Sequence, residues 1–203
     1  MNDTVARKWR QKAYAGLAFV ILLPFIYSGS DTPTLLEQTS QRGSITLLTR
    51  NGASSYFIGP DGDTGPEYDL VSEFTEYLGL KLKVRIADEY GDLGTLLNKR
   101  QGELVAANLT RTSEREKLFR FSPDYAETRT VVVYKRGKFR PRNLPDLLGM
   151  ELSVISGSSY ETMLKKAGKA LPDLKWQSAK DIGMEGLLMA IADGELDATL
   201  VDS

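Results

Sequence analysis

The sequence predicts an α/β fold of two lobes, on three observations. The order strand, helix, strand, helix, strand occurs twice, over 44–107 and again over 152–201, and that alternation lays helices on a parallel sheet. A basic, proline-bearing stretch, 135–145, separates the two runs. The stretch Gly102-Glu103-Leu104-Val105-Ala106-Ala107-Asn108 also has an echo in Gly194-Glu195-Leu196-Asp197-Ala198-Thr199-Leu200-Val201-Asp202. Two like strand tips place two like halves around one crevice, where α/β sheets take their ligands.

Each element has its own signal. Ser44 to Thr49 is a strand of the β-branched, buried kind. Pro60 to Gly65 is turn-rich and reads as a small hairpin. Leu70, Val71, Phe74, Tyr77 and Leu78 recur at helical spacing over Glu67 to Leu78, and Gly79 stops the helix. Leu80 to Ile86 alternates apolar and basic residues, the pattern of a half-exposed strand. Gly91 to Gln101 is the second helix, and Leu104 to Ala107 a short buried strand. Thr130 to Tyr134 is the strongest strand signal of all. In the second lobe, strands are expected at Leu152 to Ile155, Leu174 to Gln177 and Asp197 to Val201, with helices at Tyr160 to Ala167 and Asp181 to Ala192. The expected divisions are 1–28 signal peptide or N-terminal anchor, 29–43 tether, 44–134 lobe one and 135–203 lobe two. A chain that crosses once and stops at Ser203 is expected to be truncated before the first lobe is completed, exposing a sheet edge and apolar surface.

Composition excludes much. Lys+Arg 26 against Asp+Glu 27 gives a net charge of -1, so no global field attracts nucleic acid. Cys and His are both absent, which removes thiol nucleophiles, Cys/His zinc sites, histidine triads and disulfides. No cofactor and no metal is expected. Arg7, Lys8, Arg10 and Lys12 precede an apolar run from Ala13 to Tyr27, followed by Ser28-Gly29-Ser30, the order of a secretory signal. The run is shorter than the roughly 20 residues of a membrane span, and both a cleaved signal and a retained anchor satisfy it. Five of the eight residues from Lys135 to Arg142 are basic, the mark of a solvated turn between lobes.

The chemistry concentrates at the strand tips. After Asn108, the hydroxyls of Thr110, Thr112 and Ser113, the turn's N–H groups and the planar fork of Arg115 make a receptor for a small carboxylate. In the second lobe, Ser158 and Ser159 stand where a helix begins, and cap it, bind the same carboxylate, or do both. Tyr56 and Tyr68 read as packing residues.

Taken together, Gly65 to Leu70, Leu109 to Arg115, Phe121 to Tyr125, Gly157 to Ser159 and Asp202 resemble the periplasmic amino-acid-binding proteins of importers, family 3. Thr49-Arg50-Asn51, Tyr56-Phe57, Gly65 to Leu70, Arg140-Pro141-Arg142 and Leu196 to Ser203 resemble, more closely, the N-terminal domain of the membrane-bound lytic murein transglycosylase F family. The resemblance implies a two-lobed type II periplasmic-binding-protein-like fold that closes on a zwitterion or a muropeptide. It implies a carboxylate site at Thr110 and Arg115, an ammonium site at Asp202, and loop contacts at Asn51 and Ser54, where importer proteins often carry an acid and an aromatic. Arg111 is unusual in that setting and could read a second carboxylate. The resemblance further implies periplasmic, membrane-associated placement and contact with peptidoglycan through a catalytic domain absent from this chain, so no catalytic residue is nominated. Three rivals follow from the same features: a binding protein feeding an importer, a cyclohexadienyl-dehydratase-like enzyme with Glu161 as its visible acid, and a sensor on a signalling protein.

Overall fold

A computed structural model describes residues 32–137 and 139–203. The predicted signal or anchor, the start of the tether and Lys138 of the basic turn lie outside the described residues. The first described helix, α1 (Leu35–Arg42), falls inside the stretch expected to be a tether. A capping box forms it: the Thr34 N–H donates to Glu37 Oε2 at 2.6 Å and the Glu37 N–H donates to Thr34 Oγ1 at 3.3 Å. The Thr-Leu-Leu-Glu order carried that signal.

The elements from β1 onward lie within one unit, Thr39–Ser203. The first sheet holds β1 (Ser44–Thr49) between β4 (Lys81–Ile86) and the short β5 (Leu104–Val105), all parallel. A hairpin, β2 (Phe57–Gly59) and β3 (Gly62–Thr64), leads to α2 (Pro66–Tyr77), and α3 (Tyr90–Asn98) follows β4. Gly65 joins hairpin to helix at φ 136°, where a Cβ would stand 2.5 Å from the Ser55 carbonyl oxygen, so only glycine fits. Leu48, Ala87, Leu93 and Ala107 form this lobe's core. β5 is an edge strand, and beside it Leu70, Val71, Phe74, Leu104 and Phe119 line an apolar groove of about 450 Å³.

The second lobe is built on β6 (Thr130–Tyr134), β7 (Ser153–Ile155), β8 (Gln177–Ala179) and β9 (Ala198–Asp202), with α4 (Ser159–Ala167) and α5 (Met184–Asp193). β7 pairs with β8 in parallel, Leu152 bridges Ala198, and β9 pairs with β6 antiparallel. Two expectations change here. Thr130–Tyr134, assigned by sequence to the end of lobe one, hydrogen-bonds along its whole length to β9 of the second lobe. A run of Thr-Val-Val-Val-Tyr states that a strand exists but carries nothing about its partner. The second lobe's strands therefore form one antiparallel and one parallel pair, joined at the Leu152–Ala198 bridge, rather than an all-parallel sheet. The strand expected at Leu174 to Gln177 begins only at Gln177, because Leu174 closes a turn onto the Leu171 carbonyl and drops its side chain into the core. That core gathers Leu147, Leu152, Val154, Tyr160, Leu164, Ala198 and Leu200.

Candidate functional site

A cavity of about 190 Å³ lies between the lobes at the strand tips. Asn51, Ser54, Asn108, Thr110, Arg115, Ser158, Ser159 and Asp202, the eight residues nominated from sequence, all contribute to its wall.

Local structure places each of them. Arg115 opens a 3-10 turn (Arg115–Lys117), and its N–H donates to Thr112 Oγ1 at 3.2 Å. One guanidinium nitrogen donates to the Thr110 carbonyl at 2.9 Å and the other to the Gly157 carbonyl of the second lobe at 3.3 Å. Both partners are neutral carbonyls, so the charge is oriented but not neutralised. Burial pushes the guanidinium pKa down, with the nearby Tyr90 opposing. Ser158 is the N-cap of α4, accepting from the Glu161 N–H at 3.2 Å, so its hydroxyl is used by the helix. Ser159 Oγ instead meets Thr110 Oγ1 across the cleft at 3.2 Å. Asn108 adopts φ 51°, a left-handed conformation that turns the loop away from the strand. Its N–H donates to Glu67 Oε2 at 2.5 Å, and the Tyr125 hydroxyl donates to the same carboxylate. Buried Glu67 thus holds the loop from behind, and burial raises its pKa against those two hydrogen bonds.

At the opposite wall, Asp202 ends β9, and the phenol of Tyr160 is pushed up by burial and then by the Asp202 carboxylate. The cavity therefore offers an oriented cation on one lobe and a carboxylate on the other.

Ten of the wall residues were not nominated from sequence, and the polar ones with the most chemistry are Arg50, Tyr90, Tyr160 and Glu185. Arg50 ends β1's tip, stacks over the Tyr90 ring at 5.0 Å and donates to the Ala87 and Asp88 carbonyls. Glu185, in the first turn of α5, accepts from the Ala53 N–H of the first lobe at 3.1 Å. The signal that could have found Tyr90 and Glu185 is position: each opens the helix that follows a strand tip.

Two expectations are corrected. Glu161, the carboxylic acid named for the dehydratase alternative, does not reach the cavity wall. It accepts from the Gly157 N–H at 2.8 Å and from Ser178 Oγ at 2.8 Å, and pairs with Lys165 at 2.9 Å. Burial alone would raise its pKa, but those three partners outweigh burial and leave it below the ordinary 4.5. The sign follows directly. A lowered folded-state value contributes stability above pH 4.5 that is lost as pH falls through the folded value. Melting temperature followed from about pH 6 to about pH 3 is expected to show an acid limb that Glu161→Gln flattens; an identical limb in the variant removes Glu161 as its source. Arg111, the second candidate carboxylate reader, is already engaged by Asp124 at 3.0 Å and Glu116 at 3.9 Å, and lies over the Phe121 ring at 5.5 Å. Tyr56 is buried against Tyr68 and donates to Asp63 at 2.9 Å, a packing arrangement.

Further polar contacts tie the lobes together: Lys166 to Glu114 at 2.7 Å and Lys180 to Glu89 at 3.6 Å flank the cavity. Among the described residues no group of three or more acids is placed to hold a metal, and no helix is long and apolar enough to cross a membrane.

Residues 51–200 match the bacterial extracellular solute-binding proteins, family 3. The chain belongs to that family. Among its curated relatives, this solute-binding chain is 33% identical over 202 residues to a membrane-bound lytic murein transglycosylase F of Saccharophagus degradans, covering 100% of this chain and 40% of that protein. It is 39% identical over 176 residues to the protein of the same name from Aliivibrio fischeri, covering 86% of this chain and 36% of that one. The chain thus spans well under half the length of these relatives. A structure of ArgBP from T. maritima superposes with TM-score 0.73 at 24% identity, covering 84% of this chain and 72% of that one. An ancestral arginine-binding protein bound to arginine gives 0.71 at 26% identity, covering 79% and 70%. An ancestral amino-acid-binding protein described as a precursor of cyclohexadienyl dehydratase gives 0.73 at 21%, covering 84% and 76%. The fold is that of the two-lobed type II periplasmic amino-acid-binding proteins.

Proposed function

We propose that this solute-binding chain is the ligand-sensing part of a peptidoglycan lytic transglycosylase, closing on an amino acid or a short cell-wall peptide. The observation that carries the reading is the opposition of Arg115 and Asp202 across one interlobe cavity. The Arg115 fork, held by two neutral carbonyls, is matched to a ligand carboxylate, and Asp202, on the facing wall, to a ligand ammonium. Whole-chain similarity to proteins named membrane-bound lytic murein transglycosylase F supports the assignment to a transglycosylase.

In this reading the chain works in the periplasm, associated with the membrane through its N-terminal segment. The glycan-cleaving activity and the contact with peptidoglycan belong to sequence outside these 203 residues. The lobes, read from sequence as 44–134 and 135–203 but with Thr130–Tyr134 paired into the second, close around the ligand by a hinge motion. The eight nominated wall residues then contact the ligand or set the loops that do. Differential affinity for the closed form would bias whatever is attached to it.

Calorimetric titration with free amino acids and with peptides released from peptidoglycan tests the proposal. Saturable binding of a molecule bearing both a free carboxylate and a free ammonium is expected. Binding that survives blocking either group on the ligand would overturn the assignment.

A further inference from the structure

The cavity carries more charge than a simple amino acid can use. Arg50 and Arg115 supply two cations to its wall, and Glu185 and Asp202 two carboxylates. Among the described residues the ion pairs are Arg42–Glu103, Arg111 with Glu116 and Asp124, Lys165–Glu161, Lys166–Glu114 and Lys180–Glu89. None includes any of these four. Charged groups gathered in one cleft and left without counter-charges are matched by a ligand that brings them.

Arg115 and Asp202 account for one carboxylate and one ammonium. That leaves Arg50 and Glu185. Among the described residues both hydrogen bonds of the Arg50 side chain leave through Nη1, to the Ala87 and Asp88 carbonyls. Nε is buried with no hydrogen-bond partner among the described residues. The Nε–Nη2 edge is the side-on fork that a carboxylate meets with two parallel hydrogen bonds. Leaving a buried donor of that kind unmade is costly, so a ligand group that meets it gains accordingly. Glu185 uses one oxygen on the Ala53 N–H; its other oxygen has no hydrogen-bond partner among the described residues. Both residues also line a neighbouring, wider opening of about 820 Å³, together with Ile86, Lys180 and Ile182. The second pair therefore borders both the inner cavity and this outer opening.

We infer that Arg50 and Glu185 form a second ionic subsite, and that the preferred ligand class carries two carboxylates and two ammonium groups, one pair at each end of a short chain. The assignment rests on the reading of the cavity as an amino-acid receptor and adds its specificity. Arg115 and Asp202 hold the inner pair, while Arg50 takes the distal carboxylate and Glu185 the distal ammonium.

The test titrates the protein with four probes: alanine, lysine, 2-aminoadipic acid and 2,6-diaminoheptanedioic acid. The last carries both distal groups, lysine only the ammonium, and 2-aminoadipic acid only the carboxylate. The doubly charged diamino diacid is expected to bind at least tenfold more tightly than any of the others. In Glu185→Gln, an isosteric change at an exposed position, the preference for the diamino diacid over 2-aminoadipic acid is expected to fall towards one. In Arg50→Gln the preference for it over lysine is expected to fall in the same way. These ratios are insensitive to a general loss of folding, which weakens all four probes together. Equal affinity of the wild-type protein for all four overturns the second subsite and leaves the amino-acid reading standing. So does a pair of variants that weaken every probe by one common factor. A wild-type protein that binds none of the four overturns the amino-acid reading itself, and the second subsite with it.

Discussion

Arg115→Ala is expected to abolish measurable binding of a carboxylate ligand. Truncating one member of a desolvated, hydrogen-bonded charge pair costs about 2 to 5 kcal/mol, a factor of roughly 30 to several thousand in Kd. The range is set by burial: the guanidinium is withdrawn from water and aimed by the Thr110 and Gly157 carbonyls, so its orientation is fixed before ligand arrives. Arg115→Lys separates charge from geometry. It keeps the cation but loses the two-pronged contact, and is expected to bind between wild type and the alanine variant. Titration calorimetry gives the affinities, and a thermal melt checks that the fold survives. Unchanged affinity in Arg115→Ala removes the residue from the site.

Gly157→Ala is expected to act by wedging the lobes apart. Gly157 has φ 71°, and a Cβ placed there would stand 2.9 Å from the Gly91 backbone nitrogen and 3.5 Å from the Tyr90 carbonyl carbon. Those atoms begin α3 of the other lobe. They are backbone, so they cannot swing aside. Left-handed geometry alone costs an alanine about 1 to 2 kcal/mol, and the clash adds to it. The clash exists only while the lobes touch, so opening the cleft relieves it. Affinity is expected to fall about tenfold or more, with the radius of gyration from small-angle scattering rising. A variant with wild-type affinity and an unchanged scattering profile would show that this contact plays no part in closure.

Much of this architecture was legible in the chain because it rests on periodicity. Leu70, Val71 and Phe74 fixed a helix, and the alternation of Leu82 and Val84 with Lys81, Lys83 and Arg85 fixed a half-exposed strand. The strand tips were legible too, because hydroxyls and an arginine after a short apolar run are an unusual grouping. What sequence did not carry was partnership. Thr130–Tyr134 could have joined either sheet, and only the pairing with Ala198–Asp202 assigns it. Arg50 and Glu185 lie 135 positions apart, and nothing in either's neighbourhood says that the fold brings them to one wall. Glu161 and Arg111 failed for the opposite reason. Each has the right chemistry, but close neighbours in the fold, Lys165 for one and Asp124 for the other, claim it first. Charge alone does not reveal whether it is already spent.

The register of the last strand pair has one more consequence. Asp202 stands opposite Thr130, and the Ser203 N–H donates to the Arg129 carbonyl at 3.0 Å, so the cavity's carboxylate is fastened to the point where the chain arrives from the other lobe. If a ligand engages that carboxylate as proposed, the connecting segment is its direct backbone neighbour, with no side chain between them. In that reading, grip and lever would be the same piece of backbone.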